Sequence, residues 1–269
     1  MSSLPDKSKA EIDFLGTSFF RSDKPDPPQL PAPGAILEQY PDLEGGVVKL
    51  EEAQTMRAVR HAFLNDEVPV PEVFGWRKYG EKNFIYVSLI HGDTLREAWP
   101  KLIEADKESI CDGLAHIVSA LRQVSQGSSD IFIGSVSRGT VQDRFFQVDC
   151  EDGPFTSIKS FNDWLFAAAT RTRPGPEGVT GPYRDLLSDT GSIYFTHGDL
   201  TLGNIIVSSM ANPRRILGVV DWEQAGWYPA YWEYLAFKMC VPSKTDKSTL
   251  YYFAAGKASK LALISCPDF

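Results

Sequence analysis

From Glu51 onward, Ala53, Met56, Val59 and Phe63 recur at intervals of three and four, the period of one helix face. Val68-Pro-Val-Pro71 stops that pattern, because proline lacks the amide a helix needs. Val73 to Trp76 and Phe84 to Ile90 then read as two strands around a polar turn at Gly80. Ahead of the helix, Val47-Val48-Lys49-Leu50 is a short β-prone run following Gly45-Gly46. Residues 1–33 are expected to be weakly structured, since five prolines between Pro25 and Pro33 favour an extended path. Ile12, Phe14, Leu15, Phe19 and Phe20 are still available to dock on a surface.

After His91-Gly92, a candidate hinge, the pattern turns mainly helical. Thr94-x-x-Glu97 has the form of a capping box opening a short helix before Pro100. Ile110, Leu114, Ile117, Leu121 and Val124 make one apolar stripe, with Gly127 placed as a C-terminal cap. Residues 128–156, rich in Gly, Ser and Asp, are expected to cross the surface. Helices are expected over Ile158 to Thr170, near Tyr183 to Leu187, and from Trp227 to Met239. Tyr194 to Thr196, Ile205 to Val207 and Arg215 to Val220 read as short strands. The order implies an α+β chain of two lobes with a cleft between them, where ligands tend to bind.

Composition narrows the partners. Hydrophobic residues make up 43% and charged residues 23%, so a packed core is expected. The net charge is −8 and no Lys/Arg-rich run occurs, which argues against a nucleic-acid partner. Cys111, Cys150, Cys240 and Cys266 lie far apart without a Cys-x-x-Cys pair, as reduced thiols do. No apolar leader or run of about 20 residues suited to a bilayer is present. A cytoplasmic protein without a membrane partner is therefore expected, with its oligomeric state open.

The chemistry gathers in Phe195 to Val207. His197-x-Asp199-x-x-x-x-Asn204 has the spacing of a phosphoryl-transfer catalytic loop, pairing a carboxylate for a hydroxyl proton with an amide for a metal. Asp221 closes the next strand and would meet them at the same mouth. A buried, hydrogen-bonded turn and a hydrolase bridging a metal with Asp199 and Asp221 are the alternatives. His197 reads as a residue holding the loop rather than a proton shuttle. Trp222, Trp227, Tyr228, Tyr231 and Trp232 read as core in preference to a cage for an amine. Glu223 and Glu233 suit either a cationic substrate or a nearby arginine.

With Val219-Val-Asp221-Trp-Glu223, Gly226-Trp-Tyr-Pro229 and Tyr231-Trp-Glu233, this loop resembles the aminoglycoside phosphotransferase family of protein-kinase-like fold, in particular fungal-type members of unassigned substrate. Val68 to Val73, Phe84-Ile-Tyr86 and Phe132-Ile-Gly134 extend the likeness, which runs from about Glu52 to Met239. The resemblance implies Asp199 as catalytic base, Asn204 and Asp221 as ligands of Mg2+, and ATP as phosphoryl donor. Lys49 and Glu52 are the candidates for its nucleotide-binding pair, although only two residues separate them. It implies a weakly structured segment over 1–44, a small, abbreviated N-terminal lobe over 45–91, and a helical lobe over 92–269. The acceptor is expected to be a hydroxyl on a small molecule, since Asp221 leads directly to Trp222-Glu223 with no Ala-Pro-Glu segment. A kinase-like module that binds without transferring phosphate is the alternative. The tail from Lys244 to Phe269 departs from the family's helical pattern.

Overall fold

The computed structural model describes residues 4–21, 28–41, 48–127, 131–143, 153–170, 181, 183–211 and 213–233. Its first sheet is antiparallel, in the order β1 (Glu11–Asp13), β2 (Val73–Tyr79), β3 (Lys82–Val87). The hairpin from β2 to β3 is the expected one, turning at Gly80.

The N-terminal segment departs from its expected weak structure. Residues 4–21 carry β1 and dock on the sheet, because the apolar side chains find a partner in the fully buried Trp76. Ile12 pairs with Trp76 in register, Phe14 meets its ring edge-on at 5.6 Å, and Trp76 Nε1 donates to the Lys9 carbonyl. Backbones approach so closely here that a Cβ on Gly75 would lie 2.3 Å from the Ile12 carbonyl oxygen. Further on, Leu30 is buried and Tyr86 donates its hydroxyl to the Pro31 carbonyl. Helix α1 (Pro33–Gln39) follows, with Pro33 at its first position, where no amide is needed.

Helix α2 (Leu50–Ala62) lays Ala53, Met56 and Val59 against the sheet, as its period predicts. The β-prone run before it is not a strand in its described part. The Val48 carbonyl is taken by the Asn83 side-chain amide instead of a ladder partner, and Lys49 becomes the residue that opens α2. Its extended backbone, φ −84° and ψ 133°, is what a helix start requires. Gly45-Gly46 and Val47 lie outside the described residues.

Two further three-stranded sheets carry the rest. One runs β4 (Asp93–Thr94), β7 (Ile205–Val207), β8 (Ile216–Val219); the other runs β5 (Gly134–Ser135), β9 (Gly226–Pro229), β6 (Ile193–Thr196). The Thr94–Glu97 capping box forms and opens α3 (Leu95–Ala98). Helix α4 (Glu104–Gln123) buries Ile110, Leu114, Ile117 and Leu121, each contributing about 1.5–3 kcal/mol when fully removed from water. It stops at Val124, whose backbone is extended, so Gly127 is not its cap. Helix α5 (Ile158–Thr170) and a 3-10 turn at Arg184–Leu186 fall where expected.

Two other expectations are corrected. Residues 131–143 do not cross the surface: Phe132, Ile133, Val136 and Val141 are buried, and Ile133 bridges to Phe155. Gly226–Pro229 is a strand rather than a helix, because Trp227 and Tyr228 pair with Phe195 and Tyr194 of β6. Helical structure begins at Trp232-Glu233; Tyr234 to Met239 and the tail lie outside the described residues. Cys111 is buried, and the other three cysteines lie outside the described residues. No helix among the described residues is long and apolar enough to cross a membrane.

Candidate active site

Strands β6 and β7 belong to different sheets, and the chain between them crosses the space separating those sheets. That crossing is the His197–Asn204 loop. Gly198 makes the turn possible at φ 82°, a conformation side chains rarely adopt, and a Cβ there would lie 2.8 Å from the Gln224 carbonyl oxygen. Beyond it, the Asp199 carbonyl accepts from the Thr201 amide at 2.7 Å and the Thr201 carbonyl from the Asn204 amide at 3.0 Å. These bonds fold Asn204 back toward Asp199. The Asn204 side-chain amide donates to the Asp199 carbonyl at 2.9 Å and to its carboxylate at 3.0 Å.

Two buried groups hold the loop from behind. His197 is fully buried; its Nδ1 accepts from the Asp199 amide, and Nε2 meets the Val220 carbonyl at 3.1 Å. Those partners require a neutral ring protonated at Nε2. Burial pushes its pKa down to about 4, which keeps it neutral, and its ring packs edge-on to Trp222 at 4.5 Å. His197 is thus a structural tie, as read from the sequence. Glu233 accepts from the His197 amide at 2.8 Å and the Gly198 amide at 3.3 Å. Burial pushes its carboxyl up to about 7 against the pull of those two bonds.

The second carboxylate arrives on the turn after β8. The Val220 amide donates to the Asn204 carbonyl at 2.9 Å, so Asp221 follows directly on a residue bonded to both Asn204 and His197. Asp221 adopts φ 66°, an uncommon left-handed conformation for a non-glycine residue. Trp222 anchors the turn through Nε1 to the Val219 carbonyl. Asp199, Asn204 and Asp221 are thereby carried on two loops hydrogen-bonded to each other.

Lys49 and Glu52 reach the same region from α2, but toward different partners. Lys49 Nζ donates to Gln142 Oε1 at 3.0 Å, while Glu52 accepts from the Trp222 amide at 3.3 Å. Burial first, then the neighbouring Asp221 and Glu223, push the Glu52 carboxyl up to about 7. Mutual repulsion among acids at one mouth is the condition a bound cation relieves, so the donor set fits a hard metal. Among the described residues no group of three or more His, Cys, Asp or Glu is arranged to hold a metal alone.

Sequence reasoning did not single out the Glu233 bonds or Gly198. Tyr231-Trp-Glu233 was visible as a motif, but its target 36 residues earlier carries no local signal. The dense aromatics are core: Trp222, Trp227, Tyr228 and Trp232 are buried, with Tyr228 and Trp232 stacked at 5.3 Å.

The comparisons to known proteins bear on the family and the fold. The profile of the phosphotransferase enzyme family (APH) matches residues 34–256, and the chain belongs to that family. Among solved structures, aminoglycoside 2'-phosphotransferase-IIIa in its GDP complex aligns at 13% identity and a TM-score of 0.52, covering 84% of this chain and 81% of that one. The fold is accordingly protein-kinase-like and α+β. A thermostable mutant of aminoglycoside phosphotransferase APH(4)-Ia, in ternary complex with AMP-PNP and hygromycin B, aligns at 16% identity and a TM-score of 0.44. That alignment covers 69% of this chain and 60% of that one, so the chain spans less than two thirds of it. APH(3'')-Id from Streptomyces rimosus, in complex with ADP and streptomycin, aligns at 15% identity and a TM-score of 0.44, covering 81% and 79%. No curated protein matches the chain.

Proposed function

We propose that this chain is an ATP- and Mg2+-dependent phosphotransferase acting on a hydroxyl of a small molecule. The observation that carries the reading is the Asn204 amide on the Asp199 carboxylate, in a loop bonded through Val220 to the turn bearing Asp221. Asp199 takes the acceptor's hydroxyl proton, and the Asn204 bond orients its carboxylate. Asn204 and Asp221 hold Mg2+, which neutralises charge on the transferring phosphoryl group when bound. Lys49, at the opening of α2, serves as a phosphate contact. Glu52 orients the Asp221 turn through the Trp222 amide. Catalysis is positioning and charge neutralisation, which suits a site built on two mutually bonded loops.

The test is ATP turnover with Mg2+ across a panel of amino sugars, amino alcohols and neutral polyols, comparing the native chain with Asp199→Asn. Acceptor-stimulated turnover that the substitution abolishes supports the reading. A second reading, a binding module without phosphoryl transfer, is favoured by Lys49 standing ahead of α2 rather than on a strand of the sheet. Calorimetry separates the two. Magnesium-dependent ATP binding without turnover on any acceptor favours the module, and no ATP binding at all overturns both.

A further inference from the structure

We infer that Arg96 recognises an oxyanion of the bound reactants, an inference that rests on the phosphotransferase reading. The Arg96 amide donates to the Leu202 carbonyl at 2.9 Å, which fastens the first turn of α3 to the loop carrying Asp199 and Asn204. From that anchor the guanidinium lies against Gly203, the residue before Asn204. A Cβ built on Gly203 would stand 2.8 Å from Arg96 Nη2 and 3.1 Å from Cζ. A side chain at this position would push the guanidinium from where it lies.

Arg96 is exposed, and among the described residues its guanidinium makes no hydrogen bond or ion pair. Other arginines of the fold are engaged: Arg77 with Asp13, Arg184 with Asp163 and Asp189, Arg214 with Asp93. The acid next to it on α3, Glu97, is occupied by the Thr94 capping box. A fork of donors with a fixed base, open to water beside the loop of the catalytic base, matches the paired oxygens of phosphate or carboxylate. The oxyanion comes either from the polyphosphate of ATP or from an acidic group on the acceptor.

The experiment compares the native chain with Arg96→Ala, Arg96→Lys and Gly203→Ala, each checked for folding by its melting curve. Gly203→Ala keeps the charge and displaces the guanidinium, so it separates position from charge. Calorimetry measures MgATP binding, with adenosine as the phosphate-free control. Turnover then compares glycerol, glycerate and glycerol phosphate as acceptors. If the partner is polyphosphate, Arg96→Ala weakens MgATP about tenfold and leaves adenosine unchanged, with Arg96→Lys in between. If the partner is an acceptor acid, MgATP binding holds and the preference for acidic over neutral acceptors falls about tenfold. Arg96→Ala and Gly203→Ala that match the native chain in both measurements overturn the inference alone. A native chain that binds no MgATP overturns the phosphotransferase reading and takes this inference with it.

Discussion

Replacing Glu233 by Gln tests the support of the His197–Asn204 loop. The carboxylate accepts from two backbone amides, His197 and Gly198, inside a fully buried site. Two effects oppose each other. Burial disfavours the charge and lifts the pKa from 4.5 to about 7, while the amide bonds hold it down. Burial wins, so the folded chain keeps a proton that the unfolded chain has already lost between pH 4.5 and 7. Stability from this group is therefore full below pH 4.5 and falls as pH rises toward 7, by about 3 kcal/mol. Gln carries no charge and removes that slope. Chemical denaturation of both chains from pH 4.5 to 8 should show the Gln variant gaining about 3 kcal/mol on the native chain across the window. Each kcal/mol moves the melting point by about 2–4 °C in a chain of this size. Glu52 has a similar shift in both chains and cancels in the difference. Turnover should fall nonetheless, because Gln has one acceptor oxygen for two amides. A stability difference that does not vary with pH would refute the burial argument.

Three further outcomes follow from the same structure. Asp199→Asn should lower acceptor-dependent turnover about 10²–10⁴-fold while MgATP affinity, read by calorimetry, stays within about threefold. His197, held neutral with its pKa near 4, contributes stability that is full above pH 6.5 and lost as pH falls toward 4, about 3 kcal/mol in all. A His197→Gln chain should lack that acid-side loss in denaturation curves, and an unchanged slope would count against the buried neutral ring. Gly75→Ala places a Cβ 2.3 Å from the Ile12 carbonyl and should cost about 1–3 kcal/mol while exposing residues 4–21 to protease. A native cleavage pattern would contradict the docking of β1.

What was legible in the sequence was local. The α4 stripe, the Thr94–Glu97 capping box and the turn at Gly80 depend on residues a few positions apart, and each stands where its period or spacing places it. The meeting of Asp199 and Asn204 was legible for the same reason, since they lie within six residues of chain. Failures came where a distant partner decided the outcome. Gly226–Pro229 reads as aromatic helix until β6, about 30 residues earlier, supplies its ladder. Ile12 and Phe14 look stranded among polar residues until Trp76 is brought to them. Lys49 reads as a strand residue by composition, and only the Asn83 amide on the Val48 carbonyl shows that no ladder forms there.

The position of α2 links these distant contacts to the site. One end of its first turn reaches the Asp221 loop through Glu52 and the Gln142 side chain through Lys49. Its other side is held by the N-terminal segment: Lys7 pairs with Glu51, Gln54 donates to the Pro5 carbonyl, and the Arg57 guanidinium lies 3.5 Å over the Phe14 ring. Surface pairs such as Lys7–Glu51 stabilise little, so the grip comes from buried Gln54 and Trp76 and the partly buried Phe14. A helix held on both sides sets where Glu52 stands, and Glu52 sets the Trp222 amide beside Asp221. Residues 4–21 therefore do the positioning that the spacing of Lys49 and Glu52 alone does not provide.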